Sequence, residues 1–139
     1  MIGLDTNVLA RYYLAGHDAD AATVRQQQAA RRLLEGGQPL YVAKTVLLEF
    51  EWVMRGAYAL GREQFSAVLD HVLASPQVTV EDRLSVEAAL AGHRDGLDFA
   101  DALHHATYRR CDSMASFDDR KFARRAAKLG LVPVVTVPR

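Results

Sequence analysis

Carboxylates are the side chains best placed for chemistry in this 139-residue chain. Asp5 closes the apolar run Met1 to Leu4 and precedes Thr6-Asn7. Glu49 stands in Thr45-Val-Leu-Leu-Glu-Phe-Glu-Trp-Val-Met-Arg55. Asp98 and Asp101 share Leu97-Asp-Phe-Ala-Asp-Ala-Leu-His-His105. Asp118 and Asp119 share Ser116-Phe-Asp-Asp-Arg-Lys-Phe122. Each acid alone has an ordinary role open to it, as a helix cap or a solvated flank. Together they recur where strands or loops hand over to helices. Carboxylates gathered in one place repel, and burial raises their pKa values. A divalent cation removes that penalty. With oxygen ligands and no Cys pair, the cation expected is Mg²⁺ or Mn²⁺ rather than zinc. Such a centre binds phosphates, activates water and neutralises charge in a phosphoryl transition state.

The elements that must position these acids follow from pattern and punctuation. Met1 to Leu4 reads as a strand and Asn7 to Leu14 as a short helix. Ala19 to Leu34 is rich in Ala, Gln, Arg and Leu, and Gly36-Gly37 stops that helix. Leu40 to Ala43 is a second strand, and Thr45 is the expected N-cap of a helix running to about Gly56. On a helical wheel its apolar face is Val46, Phe50, Val53, Met54 and Ala57, with Glu49 on one flank and Glu51 on the other. Periodicity does not choose between these two acids. Arg62 to Ala74 is a helix ended before Pro76, and Val78 to Val80 a third strand. Asp82 or Ser85 opens a helix to about His93, and Asp98 one to Tyr108. Ser113 to Phe117 is strand-like, Asp118 caps a helix to Leu129, and Gly130 ends it. Val132 to Val137, interrupted by Pro133, is an edge strand.

Strands alternating with helices indicate an α/β fold, a mostly parallel sheet of about five strands flanked by helices, in one domain over residues 1–139. In such sheets ligands bind beyond the carboxyl ends of the strands. All four acidic segments are therefore expected at one edge. Asp98 and Asp101, at i and i+3, project from one side of a helix start, and His105 at i+4 from Asp101 joins them.

Composition excludes several classes. Seventeen basic residues balance seventeen acidic ones, so the chain is not a strongly basic nucleic-acid binder. The lone Cys111, between Arg110 and Asp112, makes no internal disulfide, suits a reducing cytosol and is expected to be inert. No basic n-region precedes the N-terminal apolar run, and no apolar run is long enough to span a membrane. A cytoplasmic protein with no membrane partner is the expectation.

The segments Met1-Ile-Gly-Leu-Asp-Thr-Asn-Val-Leu9, Leu47-Leu-Glu-Phe-Glu-Trp-Val53, Asp98-Phe-Ala-Asp-Ala-Leu103 and Ser116-Phe-Asp-Asp-Arg-Lys-Phe122 resemble, in order and spacing, the PIN-domain toxins of the VapC type. The resemblance covers essentially the whole chain. It implies a Rossmann-like parallel sheet and a Mg²⁺- or Mn²⁺-dependent endoribonuclease acting on tRNA or rRNA. It also implies a homodimer and a cognate antitoxin of VapB type that inserts a segment into the active-site groove. By that resemblance Asp5, Glu49, Asp101 and Asp118 match the family's four acids, with Asp5 and Asp101 on the metal. Asp98 is an auxiliary acid and Asp119 a possible substitute for Asp118. Thr6, Asn7 and Ser116 match polar positions nearby.

The mechanism expected is in-line attack on phosphorus by metal-activated water, leaving a 5′-phosphate and a 3′-hydroxyl. Glu49 or Asp118 would position the water. Arg11, Arg120 and Lys121 are candidate contacts to the RNA backbone, with Arg124, Arg125 and Lys128 following on the same segment. Adjacent His104 and His105 diverge by about 100° on a helix, so they do not form a metal-free acid–base pair; one is expected packed and one solvated. Tyr12, Tyr13 and Trp52 are expected to pack in the core or an interface. Two other readings compete. In one, Asp5 is the covalent nucleophile of a phosphotransferase, although Asn7 stands where a second acid would be wanted. In the other, the chain is a non-catalytic RNA-binding or scaffold module whose acids are only caps.

Overall fold

A computed structural model describes residues 1–14, 16 and 19–139. Among the described residues it holds seven α-helices, five strands and one π-helical segment. They cluster into two compact units, Met1–Asp82 and Arg83–Arg139. The fold is mixed α/β and helix-rich, and all its strand pairings are parallel.

In the N-terminal unit β1 (Ile2–Gly3), β2 (Leu40–Val42) and β3 (Val78–Val80) form a parallel sheet in that order. Parallel neighbours need long crossovers, and helices supply them. The first crossover is α1 (Thr6–Tyr13) with α2 (Ala21–Glu35); the second is α3 (Lys44–Ala57) with α4 (Arg62–Ala74). Asp5 and Asp20 cap the first two helices by accepting from Thr6 N at 2.8 Å and Thr23 N at 2.7 Å. The Asp20 carboxyl is held below its ordinary value by its bonds from Thr23. Leu40 and Val42 are wholly buried, with Phe50, Phe65, Leu69 and Leu9 in the same unit's core. The Phe50 ring lies 6.5 Å from Phe65 and 6.3 Å from Tyr13. The Gln77 side chain donates to Leu34 O at 2.8 Å, tying the end of α2 to the approach to β3.

Two expectations for α3 are corrected. Thr45 is not its cap: Ala43 holds that position without a side-chain bond. Glu81, arriving from β3, instead accepts from Lys44 N at 2.9 Å. The buried stripe is Leu47, Phe50, Glu51 and Met54 rather than the wheel's set, and Ala57 is exposed. The buried face is thus turned toward Glu51, and α1 is a helix that packs on α3.

In the C-terminal unit α5 (Arg83–Arg94) and α6 (Phe99–Thr107) pack against each other, and β4 (Ser113–Ala115) pairs with β5 (Val134–Thr136). The five strands thus lie in a three-stranded and a two-stranded sheet. Gly92 sits where a Cβ would lie 3.1 Å from Leu97 Cδ1 and 3.4 Å from Ala102 Cβ, so glycine permits the close approach of α5 to the start of α6. The expected helix after Asp118 begins differently. Asp119–Ala123 is wound as a π-helix, with Ala123 N donating to Asp118 O at 3.0 Å, before α7 (Arg124–Lys128) resumes α geometry. Gly130, at φ 67°, then reverses the chain into the left-handed region that ends helices.

Candidate active site

Three of the acids come together within the C-terminal unit. Asp98 is extended and caps α6, its Oδ1 accepting from Asp101 N at 3.1 Å. Asp101 is half-buried in the first turn that this cap creates. Asp118 follows β4, in a turn where Ser116 Oγ accepts from Asp118 N at 3.1 Å and Asp118 Oδ1 accepts from Lys121 N at 2.9 Å. The Asp101 carboxyl is pushed above its ordinary value, first by burial and then by the charges of Asp98 and Asp118, with His104 opposing. Like charges acting on a part-buried carboxylate are the electrostatic condition that a divalent cation relieves.

Asp118 and Asp119 part company. Asp119 is ion-paired with Arg124 at 3.0 Å, whereas Asp118 is exposed and carries no such pair among the described residues. Asp118 is the one whose charge bears on Asp101.

In the N-terminal unit Asp5 is exposed at the end of β1, where its backbone is fixed by Leu4 N donating to Tyr41 O at 2.9 Å. Thr6 is buried, and among the described residues its Oγ1 has no hydrogen-bond partner. Asn7 is exposed and, with Arg11, lines a cavity of about 380 Å³ along α1 and α2. Glu49 is exposed on α3, whereas Glu51 is buried and ion-paired with Arg55 at 3.2 Å. The structure therefore gives Glu51 a packing role and leaves Glu49 accessible.

The other sequence candidates separate clearly. Arg120 and Lys121 are exposed beside Asp118, while Arg125 is engaged with Gly96 O at 2.8 Å. His105 is buried and donates from Nε2 to Pro133 O at 2.7 Å; His104 is exposed. One packed and one solvated imidazole leaves no His pair for a shared phosphate. Cys111 is exposed between α6 and β4. Trp52, expected in the core or an interface, is 68% exposed and so lies outside the core.

Among the described residues no group of three or more His, Cys, Asp or Glu side chains is arranged to hold a metal ion. The donor chemistry nonetheless suits a hard cation: Asp98, Asp101 and Asp118 offer oxygen only, and the repulsion at Asp101 is opposed by His104 without being cancelled. A family profile described as PIN domain matches residues 2–128. The chain belongs to the PIN-domain family. That match contains every acid named above. No curated protein matches the chain. PIN domains are in general metal-dependent nucleases, so nuclease chemistry is the general activity of this chain's family. Among the described residues no helix of this PIN domain is long and apolar enough to cross a membrane.

Sequence reasoning missed Glu81 and the π-helical turn. A signal for the first existed: Glu81 directly follows an apolar strand, as Asp5 does. Nothing local in Asp119-Arg-Lys-Phe-Ala123 marks the second.

Proposed function

We propose that this PIN domain is a Mg²⁺- or Mn²⁺-dependent endoribonuclease, the toxin of a type II toxin–antitoxin pair of the VapC type, acting on tRNA or rRNA in the cytoplasm. Asp5 and Asp101 are the metal-holding acids of this reading. Glu49 and Asp118 complete the acidic set, one or the other orienting the attacking water, Asp98 raises the local negative charge, and Thr6, Asn7 and Ser116 lie in the turns that carry these acids. When bound, the ion supplies a Lewis acid for the phosphoryl oxygen and makes water acidic enough to attack near neutral pH. Arg11, Arg120 and Lys121 hold the flanking phosphates. A homodimer and a VapB-type antitoxin are the partners this reading expects.

The observation that carries it is the Asp101 carboxyl, part-buried and raised by two neighbouring carboxylates inside a chain that matches the PIN family. Caps alone give no reason for the charges of Asp98 and Asp118 to bear on the same part-buried carboxyl. The test is incubation of the purified protein with total tRNA and rRNA, with Mg²⁺ and with EDTA, followed by mapping of the ends. Discrete cuts bearing 5′-phosphates, lost in EDTA and in Asp5→Asn, are expected. Cleavage that persists in EDTA, or 2′,3′-cyclic phosphate ends, would overturn the reading.

A further inference from the structure

The seam between α1 and α2 has a property that the acidic site does not use. Over Thr6–Tyr13 and Ala21–Glu35 these helices carry Arg11, Arg25, Arg31 and Arg32 against a single carboxylate, Glu35. In a chain of zero net charge that is a local concentration of positive charge. It surrounds a space. Arg11, Tyr12, Gln27, Gln28, Arg31 and Arg32 line a cavity of about 400 Å³. Among the described residues, neither Arg31 nor Arg32 forms an ion pair. Arg11 is steadied by Gln26, its Nε donating to Oε1 at 2.7 Å. The carboxylates that bear on the seam stand at its ends: Asp20 near Arg11, and Glu35, which accepts from Tyr12 OH at 3.1 Å.

Location adds to the argument. Arg11 also lines the adjoining cavity that begins at Asn7. Six residues of α-helix separate Asp5 from Arg11, a rise of about 9 Å, or one to two nucleotides of an extended strand. Guanidinium groups lining one cavity beside side-chain amides, a tyrosine and Val24 suit phosphate oxygens and a stacked base or ribose. The helix dipole favours Arg11 in the last turn of α1 and Arg32 in the last turn of α2, but it does not account for Arg31, which lines the same space.

We propose that Arg11, Arg31 and Arg32 form a phosphate-binding subsite that grips the RNA strand to one side of the Asp5 end of α1. This rests on the ribonuclease reading and adds to it a strand path and two residues, Arg31 and Arg32. The subsite supplies binding and register, not chemistry.

The test is binding of a fluorescent single-stranded RNA of about 12 nucleotides to the metal-free full chain across a series of salt concentrations. The variants are Arg31→Ala with Arg32→Ala and, as a control that removes the same charge elsewhere, Arg110→Ala with Arg139→Ala. Each phosphate contact contributes about 0.7 to the log–log salt slope on single strands, or roughly fivefold in affinity at about 0.1 M salt. Loss of Arg31 and Arg32 is therefore expected to weaken binding by about 25-fold and flatten the slope by about 1.4. The control should bind as wild type does, and thermal melting should show both doubles folded. Equal affinity and slope for the Arg31/Arg32 double and wild type would overturn the subsite while leaving the ribonuclease reading intact. Loss of binding to a poly-glutamate peptide with RNA binding retained would make the cavity a protein-docking site and equally defeat the proposal. A wild-type chain that neither binds RNA nor cuts it with Mg²⁺ would defeat both readings.

Discussion

Asp98 separates structural from electrostatic roles in a single side chain. Its Oδ1 caps α6 through Asp101 N at 3.1 Å, and its charge raises the Asp101 carboxyl. Asp98→Ala removes both; Asp98→Asn keeps an equivalent cap and removes only the charge. Loss of the cap should cost about 1 kcal/mol, a fall of about 2–4 °C in melting temperature for a chain of this size. Asp98→Asn should melt close to wild type. The pH dependence has a definite sign. Because the folded Asp101 carboxyl lies above its ordinary value of 3.8, the native state holds its proton longer than the unfolded chain does. Its contribution to stability is complete below 3.8 and is lost as pH rises through the raised folded value. In Asp98→Asn the Asp101 titration should move down and that loss should shrink. Thermal melts of the metal-free protein and an NMR titration of the Asp101 carboxyl check both halves. Equal destabilisation by Asn and Ala would refute the cap. An unmoved Asp101 titration in Asp98→Asn would refute the charge coupling.

Three further outcomes follow from particular contacts. His105→Ala leaves the buried Pro133 carbonyl without its donor and opens a cavity, costing about 2–4 kcal/mol. His104→Ala should stay within about 0.5 kcal/mol of wild type; chemical denaturation compares the two. Glu81→Ala removes the acceptor for Lys44 N and should cost about 1 kcal/mol in the same assay, whereas Thr45→Ala should cost little. Asp118→Asn should abolish metal-dependent RNA cleavage, while Asp119→Asn, which loses only an exposed pair with Arg124, should keep most of it; initial rates on one RNA substrate decide.

Where local chemistry sets an element, it was legible in the sequence. The bounds of α4 and β3 follow from Pro76 and the apolar periods, and Asp98 caps α6 as its position before the apolar run requires. The parallel α/β class follows from the alternation of strand and helix patterns. What depends on distant residues was not legible. The acceptor for the start of α3 comes from Glu81, 37 positions on, so Thr45 was the natural but mistaken choice. The buried face of α3 is set by what packs on it, so its wheel was rotated and Glu51, not Val53, lies inside. The same holds within the site. Asp98 and Asp101 could be paired from spacing alone, but Asp118 and Asp119 could not be told apart. The choice turns on the Arg124 ion pair and the π-helical turn, neither of which has a local signature. Trp52 shows the converse limit: helical spacing leaves core and interface packing open, and the exposed indole excludes only the core.

The account depends on the acids carrying repulsion that a divalent ion relieves. Binding of Mn²⁺, read by the loss of its free-ion EPR signal, tests this without any RNA. Wild type should take up the ion, Asp101→Asn and Asp5→Asn should each lose that uptake, and Asp119→Asn should retain it. Undiminished uptake in Asp101→Asn, or none in the folded wild type, would contradict the claim.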